Sequence, residues 1–381
     1  MSALSPKMTS SLARDVYALS DLPTLKAATI VLKKRYKDDF SFAENSSLTA
    51  KTGPAGIKIS SGFGYVLVGN KEVGLNGHAV ILFRGTRSLA DWLTNLNITT
   101  SKTDSGHSVH DGFNQAFIGM KPQISKLLRS LKNVHTFHCI GHSLGGALAT
   151  LCTNWLKSQK KTAYLYTYGS PRVGLAPFAQ HFTNNMKGKV FRVYHKTDPV
   201  PVIPIWPYVH VPETGIDYLL HSSGGFFSAR YHSMKDEYCP KVRDHSWSSL
   251  PSLRNAPKSN FSIMRWLKSK SRAVFSSNSI LNLNDALMFV LKQAGYIIPK
   301  VITGSFSLLD GMAYVLNKGL NLVATVGKWV LLFVKKLLEV LGVVKDVEAS
   351  LLSKDYLREL LTRLQQKVTI EAHKALRLGL A

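Results

Sequence analysis

Three cysteines in 381 residues are too few, and too irregularly spaced, for a disulfide framework or a metal cluster. Cys139 lies in an apolar strand-like run and Cys152 in an apolar helix-like run. Both therefore read as small buried residues of a chain kept in a reducing compartment. Acidic residues are scarce too: 23 Asp and Glu stand against 48 Lys and Arg, a formal net charge of +25. Such a surplus favours anionic partners, and it speaks to encounter rather than to fold. No nucleic-acid-binding module and no basic groove interleaved with aromatics accompanies the charge, so nucleic acid is not an expected partner. Residues 1–20 hold no apolar core of a secretory signal. That predicts synthesis in the cytoplasm and, for any export, a route other than Sec.

Phosphate-binding loops, dinucleotide fingerprints and zinc spacings are missing, so neither an organic cofactor nor a metal is expected. The pairs His107/His110 and His135/His138 are spaced i, i+3, and on a strand such residues face opposite ways, which argues against a shared metal ion. Uninterrupted apolar runs are lacking as well. The closest, Leu320 to Val344, is broken by Lys328, Lys335, Lys336 and Glu339, whereas a membrane span needs about 20 apolar residues with few charges. Three readings stay open for it: a buried helix of a C-terminal bundle, a lysine-rimmed helix lying on a membrane, or a span.

What is present is a normal apolar fraction, 45%, on a length that suits one large α/β domain with an appendage. Residues 1 to about 40 form a helical lead-in, with Leu12, Val16, Leu19, Leu25, Ile30 and Leu32 at helical spacing around Pro23. Gly64–Gly69 and His78–Phe83 are short, apolar and β-branched, as buried strands should be. Strands over Val134–Ile140, Ala163–Tyr168 and Val190–Tyr194 then alternate with helical runs such as Ala147–Lys157. That alternation predicts an α/β fold with a mostly parallel central sheet and helices on both faces. Beyond about residue 255 the pattern is helical throughout. The expected division is an α/β domain over 1–255 and an all-helical C-terminal region over 256–381 that contacts a membrane or a partner.

Gly141-His142-Ser143-Leu144-Gly145 is a Gly-x-Ser-x-Gly pentapeptide. Alone it is weak, but it follows an apolar strand and opens straight into a helix, the setting of a nucleophile elbow. The turn is strained and its backbone packs closely, so small residues are needed on both sides of the serine. The helix that follows aims its free N–H groups at the site, which makes the Leu144 amide a candidate oxyanion donor.

A serine hydroxyl becomes nucleophilic when an imidazole takes its proton and a carboxylate holds that imidazole's tautomer. In a fold of this kind the acid and then the histidine follow the serine. Asp198, just past the strand Val190–Tyr194 and fixed by Pro199, stands at the rim of the sheet; Asp217 is the more distant candidate. Of the later histidines, His210 sits in a strand-like, structural setting, while His232 and His245 both precede helix starts and the residues alone leave them level. His110 and His142 precede the acid and read as packing or hydrogen-bonding residues.

From about residue 62 to 250 the chain resembles the class 3 (fungal-type) lipases, an α/β-hydrolase branch. The resemblance rests on Phe83-Arg84-Gly85-Thr86, Asp91-Trp92, Val109-His110-Asp111-Gly112-Phe113, the stretch from Gly141 to Ala149, Tyr168-Gly169-Ser170-Pro171-Arg172-Val173-Gly174, and Asp198-Pro199-Val200-Pro201, in that order. It implies a Ser143–Asp198–histidine triad, Thr86 as the second oxyanion donor beside Leu144, and a lid helix over about Ser88–Ile98. His232-Ser233-Met234, Tyr238 and Trp247 to Leu250 look like the corresponding stretch of bacterial relatives, which favours His232 as the base, with His245 as the alternative.

The expectation is a serine hydrolase that cleaves carboxylic esters of lipids, triacylglycerol or phospholipid, through an acyl-enzyme, on an anionic membrane surface. The alternative is a membrane-disrupting antibacterial effector in which lipid hydrolysis serves toxicity. It would have a secretion system or an inhibitor protein as partner.

Overall fold

The computed structural model describes residues 3–22, 24–52, 59–86, 99–255, 259–295, 308–343 and 347–378. The expected lid, Ser88–Ile98, and the Asp91-Trp92 pair lie outside the described residues.

An eight-stranded sheet organises the first two-thirds of the chain. Its strands are β1 (Phe40–Thr52), β2 (Ile59–Gly69), β3 (His78–Phe83), β4 (Thr136–His142), β5 (Thr162–Tyr168), β6 (Val190–His195), β7 (Gly215–Leu220) and β8 (Ser252–Asn255). They lie side by side in chain order. Strands β3 to β7 run parallel, while β1 and β2 at one edge and β8 at the other are antiparallel.

Strand alternation explains both faces. Ala79, Ile81 and Phe83 of β3 enter one core with Phe137 and Cys139, whereas Val80 and Leu82 enter the other with Ile140, Tyr166 and Tyr168. The first face is covered by helices α3 (Asp111–Ser130) and α4 (Leu144–Ser158). The second is covered by the lead-in helices α1 (Pro6–Asp15) and α2 (Leu25–Tyr36). The lead-in is pinned by its backbone. Leu4 donates its N–H to Tyr166 Oη at 2.9 Å, and Trp247 Nε1 donates to the Leu4 carbonyl at 2.7 Å.

Sequence pattern missed β1, β7 and β8. Ser, Asn and Lys fill β1, and β7 carries a buried Asp217 that pattern reading counts as polar. Asp217 is neutralised by Arg192 on β6, with Nη1 2.6 Å from Oδ2, and so takes no part in the site. The three cysteines are free and buried. The opposite-face argument for His135 and His138 does not apply, because β4 begins at Thr136. Both rings lie against His78, with centroids 6.0 and 5.1 Å away, and His138 Nε2 is 2.9 Å from His78 Nδ1. No group of metal-ligating side chains occurs among the described residues.

Among the described residues, five α-helices follow β8: Asn260–Lys268, Ser277–Gln293, Leu308–Leu322, Ala324–Leu341 and Lys354–Leu378. The apolar helix Ala324–Leu341 is the centre of this bundle and not a surface element. Trp329, Val330, Phe333, Val334 and Leu337 are buried. Lys328 and Lys335 point to solvent, and Lys336 is buried on an ion pair with Glu339 at 3.0 Å. Among the described residues no helix is long and apolar enough to cross a membrane. The bundle shares its core with Val200, Val202, Ile203, Ile205 and Trp206, the loop directly after Asp198.

Candidate active site

The carboxyl ends of the parallel strands converge on Ser143. It is the last residue before α4, with φ 58° and ψ −132°, a backbone conformation that costs strain in any residue other than glycine. Close packing on every side imposes it. A Cβ at Gly141 would stand 2.0 Å from the Gly145 carbonyl oxygen, one at Gly145 2.2 Å from the Phe83 oxygen, and one at Gly146 2.6 Å from Ser170 Cβ. The glycines of the pentapeptide therefore let strand and helix meet at this angle, and Leu144 becomes the first residue of α4. The turn bearing Thr86 passes beside the serine, since a Cβ at Gly85 would lie 2.9 Å from Ser143 Cβ.

Asp198 is fully buried just beyond β6. Its carboxylate accepts from the Val200 amide at 2.9 Å, from Tyr238 Oη at 2.6 Å and from His232 Nδ1 at 3.0 and 2.9 Å. A buried carboxylate needs donors of this kind to offset its lost hydration. Burial, together with the Asp198 charge, pushes the Tyr238 hydroxyl well up, so it stays protonated and remains a donor. Gly169, at φ +53°, makes room: a Cβ there would lie 2.7 Å from Asp198 Oδ2 and 3.1 Å from His232 Nδ1.

With Nδ1 engaged, the free ring atom of His232 is Nε2. Nε2 and Ser143 Oγ are both buried and neither has a hydrogen-bond partner among the described residues. They are the two atoms between which serine–histidine chemistry moves a proton. His142, next to the serine, stacks obliquely on His232, with ring centroids 4.5 Å apart.

His245 is exposed, and its nearest polar partner is Ser249 Oγ at 3.5 Å. His210 Nε2 meets the Pro201 carbonyl at 2.6 Å. The geometry thus brings Asp198 and His232 together, with His142, the residue before Ser143, against the His232 ring, and leaves His245, His210 and Asp217 elsewhere. Sequence reasoning missed Tyr17 and gave Tyr238 no role. Tyr17 lies in the lead-in, where its side chain joins Gly85 and His142, and nothing in the local pattern announces a contact across 125 residues.

Residues 80–208 match the family model described as Lipase (class 3). A secreted mono- and diacylglycerol lipase of Fusarium solani is 38% identical over 146 residues, 36% of this chain and 44% of that protein. A chloroplastic phospholipase A(1) of Arabidopsis thaliana is 31% identical over 173 residues, 38% of each chain. Toxin TseL of Vibrio cholerae is 37% identical over 111 residues, 28% of this chain and 17% of that protein. The chain therefore spans less than half the length of each of these relatives. The strand order, the serine elbow and the matched segment agree, and residues 80–208 are thus similar to the class 3 lipase family, on an α/β-hydrolase fold.

Proposed function

We propose that the protein hydrolyses carboxylic esters of lipids, with Ser143 as nucleophile, His232 as general base and Asp198 as the acid that orients it. The observation that carries this reading is the Asp198–His232 hydrogen bond, which leaves Nε2 as the free ring atom of His232; Nε2 and Ser143 Oγ are both buried and without a hydrogen-bond partner among the described residues. His232 Nε2 takes the Oγ proton while Oγ attacks the acyl carbonyl. The Leu144 N–H and Thr86 receive the oxyanion; losing one such donor typically costs roughly a hundred- to a thousandfold in rate. The imidazolium gives its proton to the departing alcohol as the C–O bond breaks. Water, activated by the same imidazole, then attacks the acyl-enzyme and releases the fatty acid and the serine.

The net charge of +25 favours substrate presented on an anionic lipid surface. The relatives named above include a mono- and diacylglycerol lipase and a phospholipase, so glycerides and glycerophospholipids are the substrate classes to compare. The test is fatty-acid release from mixed phospholipid and triglyceride vesicles by wild type, Ser143→Ala, His232→Ala and His245→Ala. Loss in the first two variants with retention in the third is expected. Activity in Ser143→Ala equal to wild type overturns the reading.

A second reading is favoured by the similarity to Toxin TseL: hydrolysis that serves membrane damage in a competing cell after export. Periplasmic delivery of wild type should then lyse bacteria while Ser143→Ala does not; absence of damage by wild type removes it.

A further inference from the structure

Between Asp244 and Asp285 the chain holds no acidic residue, while Arg254, Lys258, Arg265, Lys268, Lys270 and Arg272 all fall in that interval. The middle of the interval is the loop between helices Asn260–Lys268 and Ser277–Gln293, and it is held rigidly from below. Buried Lys336 donates from Nζ to the Ser271 carbonyl at 2.7 Å, and Glu339 Oε2 accepts from the Ala273 amide at 2.8 Å. Ala273 is buried, yet Lys270, Arg272 and Val274 around it are exposed, Val274 to 62%.

The same loop is stitched to the segment that leads to His232. Ser277 donates its N–H to the Gly225 carbonyl at 3.1 Å, and the Phe275 and Phe227 rings meet edge-on at 6.2 Å. Between those two contacts Phe226 stands 69% exposed. On the other side the Ser228 amide donates to the Thr197 carbonyl at 2.9 Å, beside Asp198. Two bare apolar side chains and two cations that form no ion pair among the described residues thus share a fixed surface at the border of the candidate site.

We propose that this surface, Phe226 and Val274 with Lys270 and Arg272, is where the protein seats on an anionic phospholipid bilayer. Phe226 and Val274 enter the acyl boundary, and Lys270 and Arg272 take headgroup phosphates. An apolar tip ringed by cations is the composition that interfacial seating requires, and Glu339, the carboxylate that meets the loop from below, is already paired with Lys336 at 3.0 Å, so it offsets little of the attraction to lipid phosphate. The inference rests on the lipid-hydrolase reading for its purpose, since it would present the bilayer to the groups around Ser143, but the binding stands apart from the chemistry.

The test is cosedimentation of the full chain carrying Ser143→Ala with vesicles of phosphatidylglycerol and phosphatidylethanolamine, and with phosphatidylcholine vesicles alone. Binding to the anionic vesicles is expected to fall at least about tenfold in Lys270→Glu/Arg272→Glu and likewise in Phe226→Ser/Val274→Ser. In the otherwise wild-type chain, the same pairs should leave turnover of a soluble short-chain ester and the melting temperature unchanged. Lys160→Glu/Lys161→Glu, at the opposite end of the parallel strands, should bind as before. Undiminished binding in both surface pairs overturns the proposal, as does loss of binding in the Lys160/Lys161 pair alone, or equal binding to phosphatidylcholine. Failure of the otherwise wild-type chain to turn over any ester would remove the hydrolase reading and leave the binding result to stand.

Discussion

His142 Nε2 lies 2.9 Å from the backbone carbonyl of His232, so the residue preceding the proposed nucleophile donates a hydrogen bond to the residue proposed to activate it. The direction follows from the other end of the chain of bonds. Gly85 donates its N–H to Tyr17 Oη at 3.1 Å, which leaves the Tyr17 proton for His142 Nδ1 at 2.8 Å. His142 is therefore the neutral Nε2–H tautomer, and burial, reinforced by His232, holds its pKa well below the ordinary histidine range. The relay ties the turn before Thr86 to the backbone of His232. Tyr17→Phe should lower kcat by roughly fivefold, the worth of about 1 kcal/mol for one hydrogen bond, and leave KM near wild type. Steady-state kinetics on a soluble ester checks this, and an unchanged kcat would show the relay to be dispensable.

Asp198→Asn should cost about a thousand- to ten-thousandfold in kcat, because the amide favours the wrong tautomer of His232. Tyr238→Phe removes the 2.6 Å donor to the same carboxylate, and with it the acceptor of the His195 amide at 3.3 Å, and should cost far less, about tenfold. The ordering of the two losses is the decisive measurement. Equal losses would mean that Tyr238, not Asp198, sets the state of the imidazole.

Two further histidines make stability depend on pH. Burial lowers His138 to about 3 and His195 to about 4, against an ordinary value of 6.5. Between pH 6.5 and about 4 the unfolded chain binds protons that the folded chain refuses. Stability is therefore fully present above 6.5 and is lost as pH falls through that window. The loss is about 1.4 kcal/mol per histidine per pH unit, as an upper bound. Urea midpoints at pH 7, 6 and 5 should decline in step, and replacing His138 by Gln should flatten the slope. A midpoint constant across that range would contradict it.

Lys336→Met should destabilise the folded chain by about 3 kcal/mol. It leaves the Glu339 carboxylate and the Ser271 carbonyl without the ammonium that both contact inside the bundle. Lys336→Met/Glu339→Leu should recover part of the loss, by removing the stranded charge. A thermal melt of the pair against the single variant reads this directly.

Much of the site was legible because its chemistry is local in sequence. Strand, Gly-x-Ser-x-Gly and helix occupy one stretch, and Asp198 announces itself through the strand before it and the proline after it. The choice between His232 and His245 was not local. It depends on which loop returns to Asp198, and that is set by contacts such as Ser228 with Thr197. Tyr17 was invisible for the same reason. The reading of Leu320 to Val344 stayed open because a bundle centre and a membrane surface want the same residues. The structure decides it by burying Trp329, Phe333 and even Lys336.

Trp206 and its neighbours from Val200 to Ile205 follow the candidate acid in sequence, yet they are interior residues of the helical bundle. The two halves of the molecule consequently cannot melt independently. Withdrawing the bundle would hydrate a large indole and four aliphatic side chains attached to the Asp198 turn. Calorimetry should give a single transition whose enthalpy belongs to the whole chain. A protease nick between Asn255 and Asn260 should leave two fragments that stay associated and active until they are denatured together.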